Sequence, residues 1–155
     1  MVWIIILIGS IALDRISKMV ILNKMSLGDS VPVIDRFFYI TYWENKGAAW
    51  GIFQNGRYFF IAITLCVSIV LAYMLYKSDN KLLKFSLALI LSGAVGNLID
   101  RIYKGSVTDF LHFYFGSYEF PIFNVADSLV VVGTFVLAYF LLFIYKEEEK
   151  VKKEE

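Results

Sequence analysis

Four long apolar stretches divide the chain, and two polar interludes separate the first stretch from the second and the third from the fourth. The second stretch, YFFIAITLCVSIVLAYMLY, carries no charge, and the fourth carries only Asp127 at its start. About 20 largely apolar residues are enough for a helix to cross a bilayer. The pattern therefore predicts four transmembrane helices, which cover about residues 2–22, 58–76, 82–101 and 126–145.

The first stretch has the length of a secretory signal peptide but not its other features. It has no basic start and no small-residue cleavage site, and Asp14 and Lys18 lie where a signal peptide is apolar. We therefore expect a retained helix.

Both interludes, 23–57 and 102–124, have the composition of β-strands. RFFYITYW (36–43) is rich in β-branched and aromatic residues and ends in the turn-like ENKG. In VTDFLHFYFGSYEFPIF, Gly116-Ser117 separates two aromatic runs and predicts a two-residue hairpin. If Phe115 faces Tyr118, an ideal register places Asp109 opposite Asn124, three residues before Asp127.

Composition supports a membrane protein. Of 155 residues, 59% are hydrophobic and 19% are charged, whereas soluble domains are about half apolar and about a quarter charged. One domain over 1–155 is expected. The net charge of +1, without a basic stripe, predicts no nucleic-acid partner. A single cysteine, Cys66, excludes an internal disulfide.

The charge distribution favours one orientation without deciding it. An even number of spans puts the charged tail 146–155 and the short lysine-rich link 77–81 on the same side as the N-terminus. Lysine density favours the cytoplasm for that side. The interludes would then lie outside, but they also contain lysines and arginines.

Several intramembrane polar residues share helical faces. Asp14 and Lys18 are four residues apart and can neutralise each other, and Asn97 and Arg101 have the same spacing. Intramembrane ionisable residues are often functional. The simpler interpretation of Asp14–Lys18 is a structural ion pair, and Asp100 could form a plain ion pair with its neighbour Arg101.

The polar residues near the hairpin also have simple interpretations. Asn124 could be a helix N-cap, with Asp127 in the first helical turn. His112 could be an ordinary strand residue. Asp109 is harder to explain in this way, because aspartate is disfavoured in strands.

Residue supply restricts the possible chemistry. The chain has one histidine and neither H-E-x-x-H nor G-x-S-x-G, and its cysteine has no basic neighbour. Two carboxylates held close together cannot both ionise easily, so one keeps a proton. Asp109 and Asp127 could then hydrolyse a peptide bond as an acid and a base, without a metal or another cofactor.

Four motifs resemble those of the lipoprotein signal peptidase (signal peptidase II) family. They are DRISK (14–18), NKGAAWG (45–51), GNLIDRIYKGSVTDF (96–110) and FNVADS (123–128). The resemblance implies an intramembrane aspartic endopeptidase of the bacterial cytoplasmic membrane. Such an enzyme removes signal peptides from prolipoproteins by cutting before the diacylglyceryl-cysteine. It also implies an all-α membrane fold of four transmembrane helices with a small extracytoplasmic β-sheet cradle, both termini in the cytoplasm, and lipid as the surroundings.

The motif match assigns residues one by one. Asp109 and Asp127 correspond to the catalytic pair, and Asn124 to the asparagine that supports it. The other motif positions, expected to line the site or to support it, are Asn97, Arg101, Asn45, Gly47, Asp14, Lys18 and Asp100. Asp100 is expected to be structural. Arg15 stands where glutamine is more usual, and Trp50 where phenylalanine is frequent.

Two other interpretations remain open from the residues alone. A small proton- or ion-coupled transporter also uses intramembrane Asp, Lys, Asn and Arg. It would need polar residues across the whole bilayer, whereas the second and fourth stretches are bare over most of their length. A purely structural membrane subunit would not need two acids at the base of a hairpin.

Overall fold

The computed structural model describes residues 2–47 and 56–145. Four long helices and four strands alternate in pairs along this part of the chain. The helices are α1 (Val2–Lys24), α2 (Arg57–Lys77), α3 (Lys81–Tyr103) and α4 (Val125–Tyr139), and α4 continues as a π-helical turn over Phe140–Ile144. The predicted tail 146–155 and Trp50 lie outside the described residues.

Two of the helices begin at an asparagine whose side chain caps the N-terminus of the helix. The Asn80 side chain accepts hydrogen bonds from Leu82 N and Leu83 N at the start of α3. Asn124 does the same for α4 and, together with Asp127, forms a capping box. The prediction that Asn124 is an N-cap is therefore confirmed.

Among the described residues, three helices are long and apolar enough to cross a membrane: Arg57–Lys77, Lys81–Tyr103 and Val125–Ile144. The first helix is as long, but it carries Asp14, Arg15 and Lys18. The protein is therefore a mostly helical membrane protein, and a fourth membrane span remains a prediction.

The helix α3 is the centre of the bundle and packs against the other three helices. Gly93 lets it approach α4 closely, because a Cβ at this position would lie 2.3 Å from Ala126 O. On the opposite helix, a Cβ on Gly133 would lie 2.9 Å from Ser86 O. These contacts hold α4 against the first half of α3.

The two interludes form one antiparallel sheet in the order β1-β2-β3-β4. Its strands are β1 (Ser30–Ile34), β2 (Phe38–Asn45), β3 (Val107–Phe115) and β4 (Tyr118–Glu119). A small core of Ile21, Tyr42 and Phe110 joins the sheet to α1. The sheet therefore lies against the end of the bundle at which α1 and α3 finish and α4 begins.

Three details of the sheet differ from the sequence expectation. The strand β1 was not predicted. It contains a proline, and all of its residues are exposed, so the sequence shows no alternation of buried and exposed positions. The strand β2 continues through Glu44 and Asn45, which were expected to form a turn. The hairpin pairs Phe115 with Tyr118 as expected.

Further from the turn the predicted hairpin register is wrong by one residue. The bridge partner of Leu111 is Phe123 rather than residue 122. Pro121 follows the last regular pairing, and a proline has no N–H to continue the ladder. The extra residue is accommodated there, and Asn124 still reaches Asp109.

Candidate active site

Asp109 and Asp127 meet at a single asparagine. Asp109 is buried in β3, and Asp127 is half-buried in the first turn of α4. The Asn124 side chain donates through Nδ2 to Asp109 Oδ1 at 2.6 Å, and its backbone N–H donates to Asp127 Oδ2 at 3.1 Å. The hairpin and the cap thus bring together the two acids that the sequence singled out.

A second amide donor serves each acid. Asn45 Nδ2, at the end of β2, donates to Asp109 Oδ2 at 3.1 Å. Asn97 Nδ2, on α3, donates to Asp127 Oδ1 at 2.7 Å. We call Asp109 and Asp127 the acid pair. All four of these donors are uncharged.

The surroundings of Asp109 disfavour its charge. Burial and, after it, the nearby carboxylate of Asp127 together raise the pKa of this carboxyl from 3.8 to about 7. The hydrogen bonds from Asn124 and Asn45 oppose this shift but do not cancel it. Asp109 can therefore hold a proton near neutral pH, a property typical of a catalytic acid.

A cavity of about 530 Å³ opens beside the acid pair. Its lining combines polar groups with an apolar wall formed by residues 120–123 and 130–132. The polar lining is contributed by Asp109, Asp127, Asn45, Gly47, Asn97, Arg101 and Ser128. The cavity can therefore accept a ligand that is part polar and part aliphatic.

Arg101 connects the end of α3 to the end of β2 across this cavity. Its guanidinium donates to Gly47 O at 3.3 Å and lies 5.0 Å from the centre of the Phe60 ring. Arg57 was missed by sequence reasoning. Its side chain donates to Arg101 O at 2.9 Å and to Ile102 O at 2.6 Å, and so binds the last turn of α3. Its only sequence signal is a charge directly before an uncharged span.

A charged cluster lies behind the acid pair, between α1, α3 and α4. Lys18 forms ion pairs with Asp14 Oδ2 at 2.9 Å and with Asp100 Oδ2 at 3.0 Å, and Arg15 also pairs with Asp100. The predicted pairing of Asp14 with Lys18 is confirmed. The suggested ion pair between Asp100 and Arg101 is wrong, because Asp100 faces α1 and pairs with its cations. The sequence did not predict that Arg15 belongs to this cluster, because its partner Asp100 lies on a different helix.

The cluster is tied to both the sheet and the start of α4. Thr108 N, next to Asp109 in β3, donates to Asp100 Oδ2 at 3.3 Å. Ala126 N, next to Asp127 in α4, donates to Asp14 Oδ1 at 3.0 Å. Each acid of the cluster therefore holds the backbone beside one member of the acid pair.

No metal site accompanies these groups in residues 2–47 and 56–145: no three His, Cys, Asp or Glu side chains there are arranged to hold an ion. His112 belongs to the sheet, as expected, where Nδ1 lies 3.0 Å from Thr41 Oγ1.

Two solved structures share this fold. One aligns with a TM-score of 0.86 and 38% identity, over 91% of this chain and 87% of that one. The other has a TM-score of 0.84 and 37% identity, over 92% and 94%. Both are described as bacterial membrane enzyme structures obtained by the in meso method, at 2.3 and 1.9 Å resolution. The fold is thus that of a membrane enzyme.

Sequence comparison identifies the family within this class. The family model for signal peptidase (SPase) II matches residues 5–143. A lipoprotein signal peptidase of Bacillus pumilus (strain SAFR-032) is 51% identical over 139 residues, which cover 88% of this chain and 90% of that protein. The chain belongs to the signal peptidase II family and is a peptidase, which confirms the resemblance carried by the four motifs.

Proposed function

We propose that the chain is an intramembrane aspartic endopeptidase with Asp109 and Asp127 as its catalytic residues. Its substrates are prolipoproteins, which it cuts on the N-terminal side of the diacylglyceryl-cysteine. The observation that carries this proposal is the acid pair itself: two carboxyls bridged by Asn124, held by uncharged amides, beside a cavity. Family membership supports the substrate.

The reaction needs only the two carboxyls and one water. The ionised carboxylate takes a proton from a water molecule while the oxygen of that water attacks the scissile carbonyl carbon. At the same time, the protonated carboxyl donates its proton to the carbonyl oxygen. The intermediate has two hydroxyls on carbon. In its collapse, the carboxyl that took the proton from water donates it to the amide nitrogen, the other carboxylate takes a proton back from one hydroxyl, and the C–N bond breaks to leave a carboxylic acid and an amine. Burial raises the pKa of Asp109 to about 7, so this carboxyl can hold the proton that the acid pair shares.

The other site residues bind the substrate and orient the acid pair. Three asparagines fix the orientation of the carboxyl oxygens through the hydrogen bonds described above: Asn45, Asn97 and Asn124. Arg101 holds the backbone at Gly47 beside the cavity. The apolar wall formed by residues 120–123 and 130–132 suits the signal peptide and the acyl chains.

The same proposal includes the topology. One domain over 1–155 crosses the cytoplasmic membrane with all four helices, the sheet forms an extracytoplasmic cradle, and both termini are cytoplasmic. In a Cys66→Ser background, Asp35→Cys in the turn between β1 and β2 should react with an impermeant thiol reagent added outside intact cells. Asp79→Cys in the α2–α3 link should react only after permeabilisation, and the reverse pattern would overturn this orientation.

The proposal is tested by cleavage of a purified diacylglyceryl-modified prolipoprotein. We expect Asp109→Asn and Asp127→Asn to lose at least about 10³-fold in kcat, since each removes an acid or base from the reaction. Asp100→Asn is the matched control, because it makes the same change at a nearby buried acid and should retain measurable turnover when rates are normalised to folded protein. Full activity of Asp109→Asn would exclude this mechanism.

A further inference from the structure

Lys18 lies at the point where the charged cluster meets the acid pair. Its side chain is fully buried, with 0% exposure. Besides its two ion pairs, it donates a hydrogen bond to Asn97 Oδ1 at 3.0 Å. The contact with Asp14 Oδ2 has ion-pair distance without hydrogen-bond geometry. The ammonium therefore directs one of its N–H groups at Asn97 in a hydrogen bond, in addition to its contact with Asp100.

This contact decides which way the Asn97 carboxamide points. An ammonium has only donors, so the oxygen of the amide must face Lys18. The same oxygen accepts from Asn124 Nδ2 at 3.1 Å. The amino group must then point the other way, where it donates to Asp127 Oδ1 at 2.7 Å.

We propose that Lys18 is a positioning residue for the peptidase reaction, which acts by fixing the orientation of the Asn97 carboxamide. Through Asn97 it supplies the donor to Asp127, and through the shared oxygen it holds Asn124 Nδ2 within reach of Asp109. This inference rests on the proposed function of the acid pair and assigns the residue that orients it.

A purely structural role would require less of this side chain. Asp14 and Asp100 need compensating positive charge, and Arg15, whose own side chain is 29% exposed, supplies part of it to Asp100. Charge compensation does not depend on an N–H aimed at Asn97. Without that N–H, the carboxamide can rotate and turn its oxygen towards the Asp127 carboxylate, which repels it, so the acid pair loses a donor.

The test compares two single-charge removals on the same helix. Lys18→Met keeps the length of the side chain and removes its N–H groups. Arg15→Gln removes the other cation that pairs with Asp100 and leaves Asn97 untouched. Loss of one hydrogen bond to a charged group corresponds to about 10- to 100-fold. We expect kcat of Lys18→Met to fall by that factor with KM nearly unchanged, and kcat of Arg15→Gln to stay within about threefold.

A double-mutant cycle asks whether the effect passes through Asn97. If it does, Lys18→Met should lower kcat little further in an Asn97→Ala background, because the amide that it orients is already absent. Independent, multiplicative losses in the double variant would overturn the proposal.

A charge-balanced variant keeps the test valid if Lys18→Met folds poorly. Lys18→Met with Asp14→Asn removes one charge of each sign and keeps an oxygen for Ala126 N. We expect thermal stability to recover and kcat to stay low. If kcat recovers together with stability, the role of Lys18 is structural and the proposal fails. The proposed function fails separately, if Asp109→Asn remains active.

Discussion

Two pairs of acids lie side by side at the same end of the bundle, and they differ in what neutralises them. Asp14 and Asp100 are both buried and pair with cations, chiefly the fully buried Lys18. Asp109 and Asp127 receive hydrogen bonds from amides. In the described part of the chain, no salt bridge to a cation involves either member of the acid pair.

The difference teaches how one membrane protein keeps some carboxylates charged and lets others exchange a proton. A buried carboxylate beside a cation stays ionised, because protonation would leave the cation uncompensated. A buried carboxyl that meets only amides loses hydration without gaining a countercharge, so its neutral form is favoured. The charged cluster is therefore suited to structure, and the acid pair to proton transfer.

Among the changes that keep both members of the acid pair, removal of the Asn124 amide should give the largest effect on kcat. Asn124→Ala takes a donor from Asp109 and removes the cap of α4. We expect kcat to fall by about 100-fold, because Asp109 becomes charged when it gives up its proton and would then lack a hydrogen bond to that charge. Asn80→Ala is the matched control, because Asn80 caps α3 at the far end of the bundle. Each variant should lose about 1 kcal/mol of stability as a lost cap. An equal loss of kcat in both, measured with lipidated substrate, would mean that the amide matters only for folding.

The same substitution in the two pairs should change stability in opposite directions. Asp100→Asn leaves Lys18 and Arg15 with a lost countercharge and should cost about 3 kcal/mol. Asp109→Asn should stabilise the protein at pH 8 by about 2 kcal/mol, because it removes a carboxylate that burial disfavours. Thermal unfolding in detergent measures the change in stability of each variant relative to the wild type. Destabilisation by Asp109→Asn at pH 8 would contradict the proposed difference between the two pairs of acids.

The pH dependence of the Asp109 effect follows from its raised pKa. The folded protein binds this proton up to about pH 7, whereas the unfolded chain releases it near the ordinary value of 3.8. The contribution of the neutral carboxyl to stability is thus complete below about pH 4 and is lost as pH rises to about 7. The advantage of Asp109→Asn over the wild type should grow across this interval and remain constant above it. An advantage independent of pH would show that the carboxyl is not the cause.

The sequence predicted contacts that are local in the chain and missed those that cross between helices. The spacing of Asp14 and Lys18 and the Gly116-Ser117 turn each constrain neighbouring residues, so an ion pair and the approach of Asn124 to Asp109 could be expected. Arg15 meets Asp100 only because α1 packs against α3. Helix packing depends on surfaces that no short sequence pattern encodes. The pairing of Asp100 with Lys18 and Arg15 could therefore not be predicted from residue spacing.

The sheet shows the same limit in another form. The aromatic runs predicted β2 and the hairpin, because aromatic and β-branched residues favour strands. The edge strand β1 contains Pro32 and is exposed throughout, so it lacks the alternation that marks a strand. The one-residue shift between Glu119 and Phe123 depends on how Pro121 is accommodated against β3, which is a property of the folded hairpin.

Removal of an exposed acid, Glu119, should have the smallest effect on stability. Glu119 on β4 lies 2.9 Å from His112 Nε2, but its side chain is 62% exposed. Water and salt screen such a pair, and exposed ion pairs contribute about 1 kcal/mol or less. Glu119→Gln should therefore change thermal stability by less than a third of the Asp100→Asn loss, and 1 M salt should reduce the difference further. If Glu119→Gln cost as much as Asp100→Asn, burial would not be what separates the structural acids from the rest.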